Sequence, residues 1–163
     1  MIIPPVHISG TEPLDANLLA RGVCRALDQL GYATLVEFPL ANGRRADVLA
    51  LGRRGEVIAV EIKSSVADFR ADRKWPSYRE FSDRLYFAVA SGFPAALIPE
   101  DCGLMVADAF GAALVRDGQV IALAAARRRG LILSFARIAA TRLRRSLDPD
   151  AARFDGIRPA AAG

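Results

Sequence analysis

Asp47, Glu61 and Lys63 are the residues whose types and spacing could do chemistry, two carboxylates suited to a divalent cation with an ammonium beside them. They stand at the open end of the stretch Arg44 to Lys63, in which two apolar runs flank Gly52-Arg53-Arg54-Gly55. That pattern reads as a β-hairpin with both strands central in a sheet. If Leu51 pairs with Val57, counting back along both strands sets Asp47 opposite Glu61, and the period of two brings Lys63 to the same face. The other face, Val48, Ala50, Ile58, Val60 and Ile62, is wholly apolar. At about 4 Å two carboxylates repel by about 4 kcal/mol at an effective dielectric of about 20, a penalty that a divalent cation removes. Hard oxygen ligands favour Mg²⁺ or Mn²⁺ over zinc. The competing reading is a structural Asp-Glu-Lys cluster closing the sheet end, although such clusters are poor stabilisers.

The elements that must position these residues are legible around them. Thr11-Glu12-Pro13 is a helix-start signal, and Leu14, Leu18, Leu19, Val23, Ala26, Leu27 and Leu30 recur at helical spacing until Gly31. Tyr32 to Leu40 reads as a first strand, turning through Ala41-Asn42-Gly43. With a two-residue turn Glu37 faces away from Asp47; with a three-residue loop and a left-handed Gly43 it falls opposite Asp47 as a candidate extra ligand. After Lys63, Ser65 and Asp68 form a capping-box pattern that opens a short helix running up to Pro76.

Arg70, Arg73, Lys74, Trp75, Tyr78 and Arg79 follow, basic residues interleaved with aromatics, a composition that suits phosphate contact and base stacking. The alternative is a solvated amphipathic helix with Phe69 and Trp75 in the core. Leu85 to Ala90 reads as a strand entered from a helix and parallel to its neighbour. Ala95 to Ile98, Leu104 to Ala107, and a hairpin of Ala112 to Arg116 with Val120 to Ala124 read as further strands. Arg127-Arg128-Arg129-Gly130 reads as a break before a terminal helix from Ser134 to Leu147. In that helix Phe135, Ile138, Ala139 and Leu143 point inward and Arg137, Arg142, Arg144 and Arg145 outward or at the rim. Such an Arg face suits nucleic acid, and equally the dipole at a helix C-terminus.

A chain of 163 residues, 52% hydrophobic and 25% charged, suits one globular domain, expected over residues 1–150, with an Ala-, Pro- and Gly-rich tail over 151–163 expected to be disordered. The net charge of +4 and pI near 9.6 allow a polyanionic partner, and the excess is nearly all Arg, whose planar fork grips phosphate. Cys24, Cys102 and the single His7 give neither a disulfide framework nor a zinc site. Met1 to Pro5 lacks a basic leader, and no apolar stretch is long enough to span a bilayer, so a cytoplasmic protein is expected.

The order helix, strand, strand bearing Asp47, strand ending Glu61-Ile62-Lys63, helix, strand resembles the core of the PD-(D/E)XK nuclease superfamily. The fold so implied is a restriction-endonuclease-like α/β/α sandwich with a central mixed β-sheet. The resemblance implies metal ligation by Asp47, Glu61 and the carbonyl of Ile62, with Lys63 on the reacting phosphate or water. Ala46 stands where the superfamily usually has Pro before the Asp, a conformational preference and not a ligand. Over roughly Leu14 to Leu147 the chain is also similar to the bacterial MmcB family, through Arg44 to Leu51, Val60 to Phe69, Lys74-Trp75-Pro76-Ser77-Tyr78 and Asp83 to Val89.

That similarity implies a role in repair of DNA after mitomycin C damage and endonuclease activity, with Mg²⁺ or Mn²⁺ as cofactor and DNA as partner. Arg45, Ser64, Arg70, Arg73, Lys74, Trp75, Tyr78 and Arg79 are the DNA-contact candidates. A homodimer and a repair-protein partner are further candidate associations. The rival readings are a DNA-binding repair accessory that keeps the fold without cutting, and an interaction protein with a structural ion cluster.

Overall fold

A computed structural model describes residues 15–150. Asp15 caps the first helix, α1 (Ala16–Gln29), accepting the Asn17 N–H at 3.2 Å. The expected start at Thr11 and the expected disorder of 151–163 lie outside the described residues.

A six-stranded mixed sheet follows in sequential order: β1 (Ala33–Pro39), β2 (Arg45–Leu51), β3 (Val57–Lys63), β4 (Arg84–Val89), β5 (Gly103–Ala107) and β6 (Ala112–Arg116). β1, β2 and β3 pair antiparallel, β3, β4 and β5 parallel, and β6 returns antiparallel to β5. Leu51 does pair with Val57, and β3 is buried along its whole length. The apolar face that carries Val48, Ala50, Ile58, Val60 and Ile62 packs against Leu19, Val23, Ala26 and Leu27 of α1. Gly22 is required there, because a Cβ would sit 2.0 Å from the Asp108 carbonyl oxygen.

The opposite face is covered by α2 (Val66–Ala71), by a 3₁₀ segment at Trp75–Phe81 and by the first half of α3 (Ala125–Leu147). Its core includes Phe38, Leu49, Ala59, Phe87, Leu104 and Phe135. The result is a helix-sheet-helix α/β architecture. Among the described residues no helix is long and apolar enough to cross a membrane.

Four expectations are corrected. Ala95 to Ile98 is a 3₁₀ turn, Ala95–Leu97, closed by Leu97 N–H to Pro94 O at 3.0 Å. Val120 to Ala124 is not a strand, so β6 has no hairpin partner after it; the Ile121 and Leu123 N–H groups are taken by the Asp83 carbonyl at 2.8 Å and Asp83 Oδ1 at 2.9 Å. Arg127 to Gly130 does not break the chain but lies inside α3, since Ala and Arg are strong helix formers. Leu143 is exposed, in a stretch of α3 from Ala140 onward in which every residue is exposed.

Asp83 ties these parts together. Its Oδ2 accepts the Val57 N–H at 2.8 Å, and both carboxylate oxygens meet the Arg128 guanidinium at 2.6 and 2.7 Å. Arg128 also donates to the Gly55 carbonyl at 2.7 Å. The start of β3, the start of β4, the 119–123 segment and α3 therefore share one ion pair. Burial raises the Asp83 carboxyl, but Arg128 and the two backbone N–H groups outweigh it and hold the net value below the usual carboxylate range. A carboxyl lowered in the folded state stabilises above its unfolded pKa and loses that contribution as pH falls through the folded value. Asp83→Asn is expected to cost about 3 kcal/mol near neutral pH, as for one partner removed from a buried pair. In urea melts its deficit against wild type should shrink below pH of about 4.

Candidate metal and phosphate site at a fork in the sheet

The hairpin does not zip to its open end. The β2–β3 pairing stops at Val48 opposite Val60. Beyond it, Arg45 and Ala46 pair only with Pro39 and Phe38 of β1, while Glu61, Ile62 and Lys63 pair with Phe87, Ala88 and Val89 of β4. The sheet forks, and carboxylates take over the amides that the ladder abandons. Asp47 Oδ2 accepts the Ile62 N–H at 2.8 Å, and Glu61 Oε1 accepts the Asp47 N–H across a longer 3.4 Å. Asp47 and Glu61 are thus brought together as expected, through these cross-bonds and not through a ladder pair.

Glu61 is 3% exposed and Lys63 6%. The Lys63 ammonium lies 2.6 Å from Asp72 Oδ2 and 4.0 Å from Glu61 Oε2. Burial, then the Asp47 charge, pushes Glu61 up to about 8 against partial relief from Lys63. Asp47 is also raised, by burial first, with the Ile62 N–H and Lys63 opposing. Burial pulls Lys63 down, but Asp72 and Glu61 outweigh it, so the ammonium is held charged. Two carboxylates resisting ionisation beside each other form a site short of positive charge.

The loop alternative for Glu37 resolves to three residues. Leu40 N–H bonds Arg44 O at 2.8 Å around Ala41-Asn42-Gly43, with Gly43 at φ +78°. Glu37 itself sits at φ +51°, a left-handed backbone that a glutamate rarely adopts, held by Arg142, which donates to the Val36 and Glu37 carbonyls at 2.5 and 3.0 Å. Glu37 shares with Asp47 a cavity of about 340 Å³ that is also lined by Ala16, Ala20, Cys24 and Ile62. Its carboxylate, however, is ion-paired with Arg45. Among the described residues no three His, Cys, Asp or Glu side chains gather closely enough to hold a metal. Two carboxylates with water and phosphate oxygens still suit Mg²⁺, which keeps much of its hydration. The larger groove of about 710 Å³, between the β1–β2 loop and α3, has no carboxylate in its lining.

The DNA-contact candidates divide. Arg70, Arg73, Lys74 and Ser64 are exposed around α2, whose N-terminus is fixed by Ser65 accepting the Asp68 N–H at 3.1 Å. Arg45 is exposed at the fork. Trp75, Tyr78 and Arg79 make contacts within the fold, with Tyr78 buried and the other two partly buried. Trp75 packs edge-on against Phe87 at 5.5 Å. Arg79 lies over Trp75 at 5.4 Å and pairs with Asp101 at 2.7 Å. The Tyr78 hydroxyl donates to the Arg45 carbonyl at 3.3 Å and is pushed up to about 12 by burial and by Glu61, Asp72 and Asp47.

Asp72 is the site residue that sequence reasoning missed. Its one signal was a carboxylate at the C-terminal end of a helix, where the dipole disfavours it and a counter-ion is needed.

The sequence profile of the family described as "DNA repair protein MmcB-like" matches residues 4–150. Among solved structures, the chain is similar to the SPO1766 protein of unknown function from Silicibacter pomeroyi. The two share 47% identity with a TM-score of 0.81, over 85% of this chain and 94% of that one. No functionally curated protein matches the chain.

Because Glu61 keeps its proton to about 8 when folded but releases it near 4.5 when unfolded, the folded state binds more protons between those values and stability falls as pH rises through them. In chelator-treated protein, Glu61→Gln is expected to raise the melting temperature relative to wild type at pH 8, with little difference at pH 4.5. Thermal melts at both pH values check this.

Proposed function

Since the chain belongs to the MmcB-like family of DNA repair proteins, we propose that it is a metal-dependent DNA nuclease of the PD-(D/E)XK superfamily, with the restriction-endonuclease-like fold. The observation that carries this reading is the forked hairpin end, where two mutually repelling carboxylates, Asp47 and Glu61, stand beside the buried Lys63. A bound Mg²⁺ or Mn²⁺ would polarise the scissile phosphate and activate the attacking water. Asp47 and Glu61, with the Ile62 carbonyl, are the groups assigned to hold it.

The protein's own residues supply the rest. Lys63 presents a fixed positive charge to developing negative charge on the phosphate. The exposed Arg70, Arg73 and Lys74 on and after α2, with Arg45 at the fork, offer sequence-independent phosphate contacts. Trp75 and Tyr78 serve as the packing that fixes this segment against β4 and the fork.

A second reading, a DNA-binding repair accessory that does not cut, is favoured by the pairing of Glu37 with Arg45 and by the lack of a three-carboxylate group among the described residues.

Glu61→Gln is expected to reduce Mn²⁺-dependent cleavage by more than about 100-fold across a panel of nicked, branched and cross-linked DNAs, while the affinity for those DNAs changes by less than about threefold. Cleavage retained by that variant overturns the nuclease reading. Binding without metal-dependent cleavage by the wild type supports the accessory. Arg73→Gln with Lys74→Gln should weaken binding to all sequences alike and lower the log–log salt slope by roughly two.

A further inference from the structure

We propose that Asp72 is a positioning residue for Lys63: it holds the ammonium off Glu61 and so keeps the Asp47–Glu61 fork open to a divalent cation. This rests on the cation-binding reading of the fork given above.

Lys63 ends β3 and shares a face with Glu61, two residues before it. An ammonium this buried requires a carboxylate partner, and two are within reach. Asp72 Oδ2 is at 2.6 Å and Glu61 Oε2 at 4.0 Å. Asp72 is itself anchored, its carboxylate Oδ1 accepting the Lys74 N–H at 2.7 Å and its backbone N–H donating to Asp68 O at 3.2 Å at the end of α2. Without Asp72, the nearest partner for the ammonium is Glu61. Lys63 would then neutralise the fork as an internal cation that any metal must displace.

Charge matching points the same way. A bound cation requires Glu61 ionised beside Asp47, with Asp72 the carboxylate in direct contact with the ammonium. Assigning Lys63 to Asp72 leaves two carboxylates at the fork, the complement of a divalent ion.

The test is a calorimetric titration with Mn²⁺ alone of wild type, Asp72→Asn, Lys63→Met and the double variant, each checked for native circular dichroism. Asp72→Asn is expected to weaken Mn²⁺ binding roughly tenfold, but by less than about threefold in the Lys63→Met background, where no ammonium is left to swing onto Glu61. Asp72→Glu, which keeps the charge on a longer arm, should restore most of the affinity. If Asp72→Asn does not fold, the Asp72→Glu and Lys63→Met titrations carry the test, and tenfold weaker binding by Asp72→Glu with native structure overturns the proposal. Equal losses in both backgrounds overturn it, because Asp72 then acts only through its own charge; so does an unchanged affinity in Asp72→Asn. Absence of Mn²⁺ binding by both wild type and Lys63→Met instead overturns the cation reading of the fork itself.

Discussion

The arrangement of the site depends on the point at which β2 and β3 stop pairing. Backbone amides cannot be left bare in a buried sheet end, and here two carboxylate side chains accept them in place of strand carbonyls. That substitution ties each acid to a backbone amide of the opposite strand. It also makes their mutual repulsion a structural given, since moving either acid away would orphan an amide. The ionisable site and the end of the ladder are the same set of hydrogen bonds.

The rest of the fold holds the two branches of the fork apart. β1 carries one branch and β4 the other. The kink at Glu37, braced by Arg142 from α3, bends β1 beside Asp47. Behind the other branch, Trp75 and Phe69 pack edge-on against Phe87, the residue opposite Glu61 in β4. At the far end of the strands the Asp83–Arg128 pair locks α3 onto the starts of β3 and β4. Stabilising interactions concentrated away from the fork offset an acidic centre that works against folding, a common distribution in proteins whose sites are built from like charges.

The parts legible in the sequence were those governed by period and by local turns. Alternation around Gly52 to Gly55 placed the register of β2 and β3, and Gly43 marked a loop whose length decided which way Glu37 faces. Tertiary competition hid the remainder. Val120 to Ala124 has the β-branched composition of a strand, yet the amides that would pair in a ladder are claimed by Asp83, a residue from elsewhere in the chain. Basic and aromatic residues from Arg70 to Arg79 look alike on paper, but the 3₁₀ winding over Trp75–Phe81 sends the aromatics into the core and leaves Arg70, Arg73 and Lys74 outside. Asp72 carried no periodic signal, because its meaning lies in the ammonium that ends a preceding strand.

The fork also joins a short-range pairing to a long-range one. Asp47 and Glu61 are fourteen residues apart, joined by a short turn, whereas the β4 partners of Glu61 and Lys63 arrive only after a crossover through α2 and the 3₁₀ segment. Short loops close first and parallel pairings late. On loop lengths alone the two acids are expected to meet while still hydrated, where their repulsion is small, so that the electrostatic cost falls on the docking of β4 and the α2 segment that seals them in.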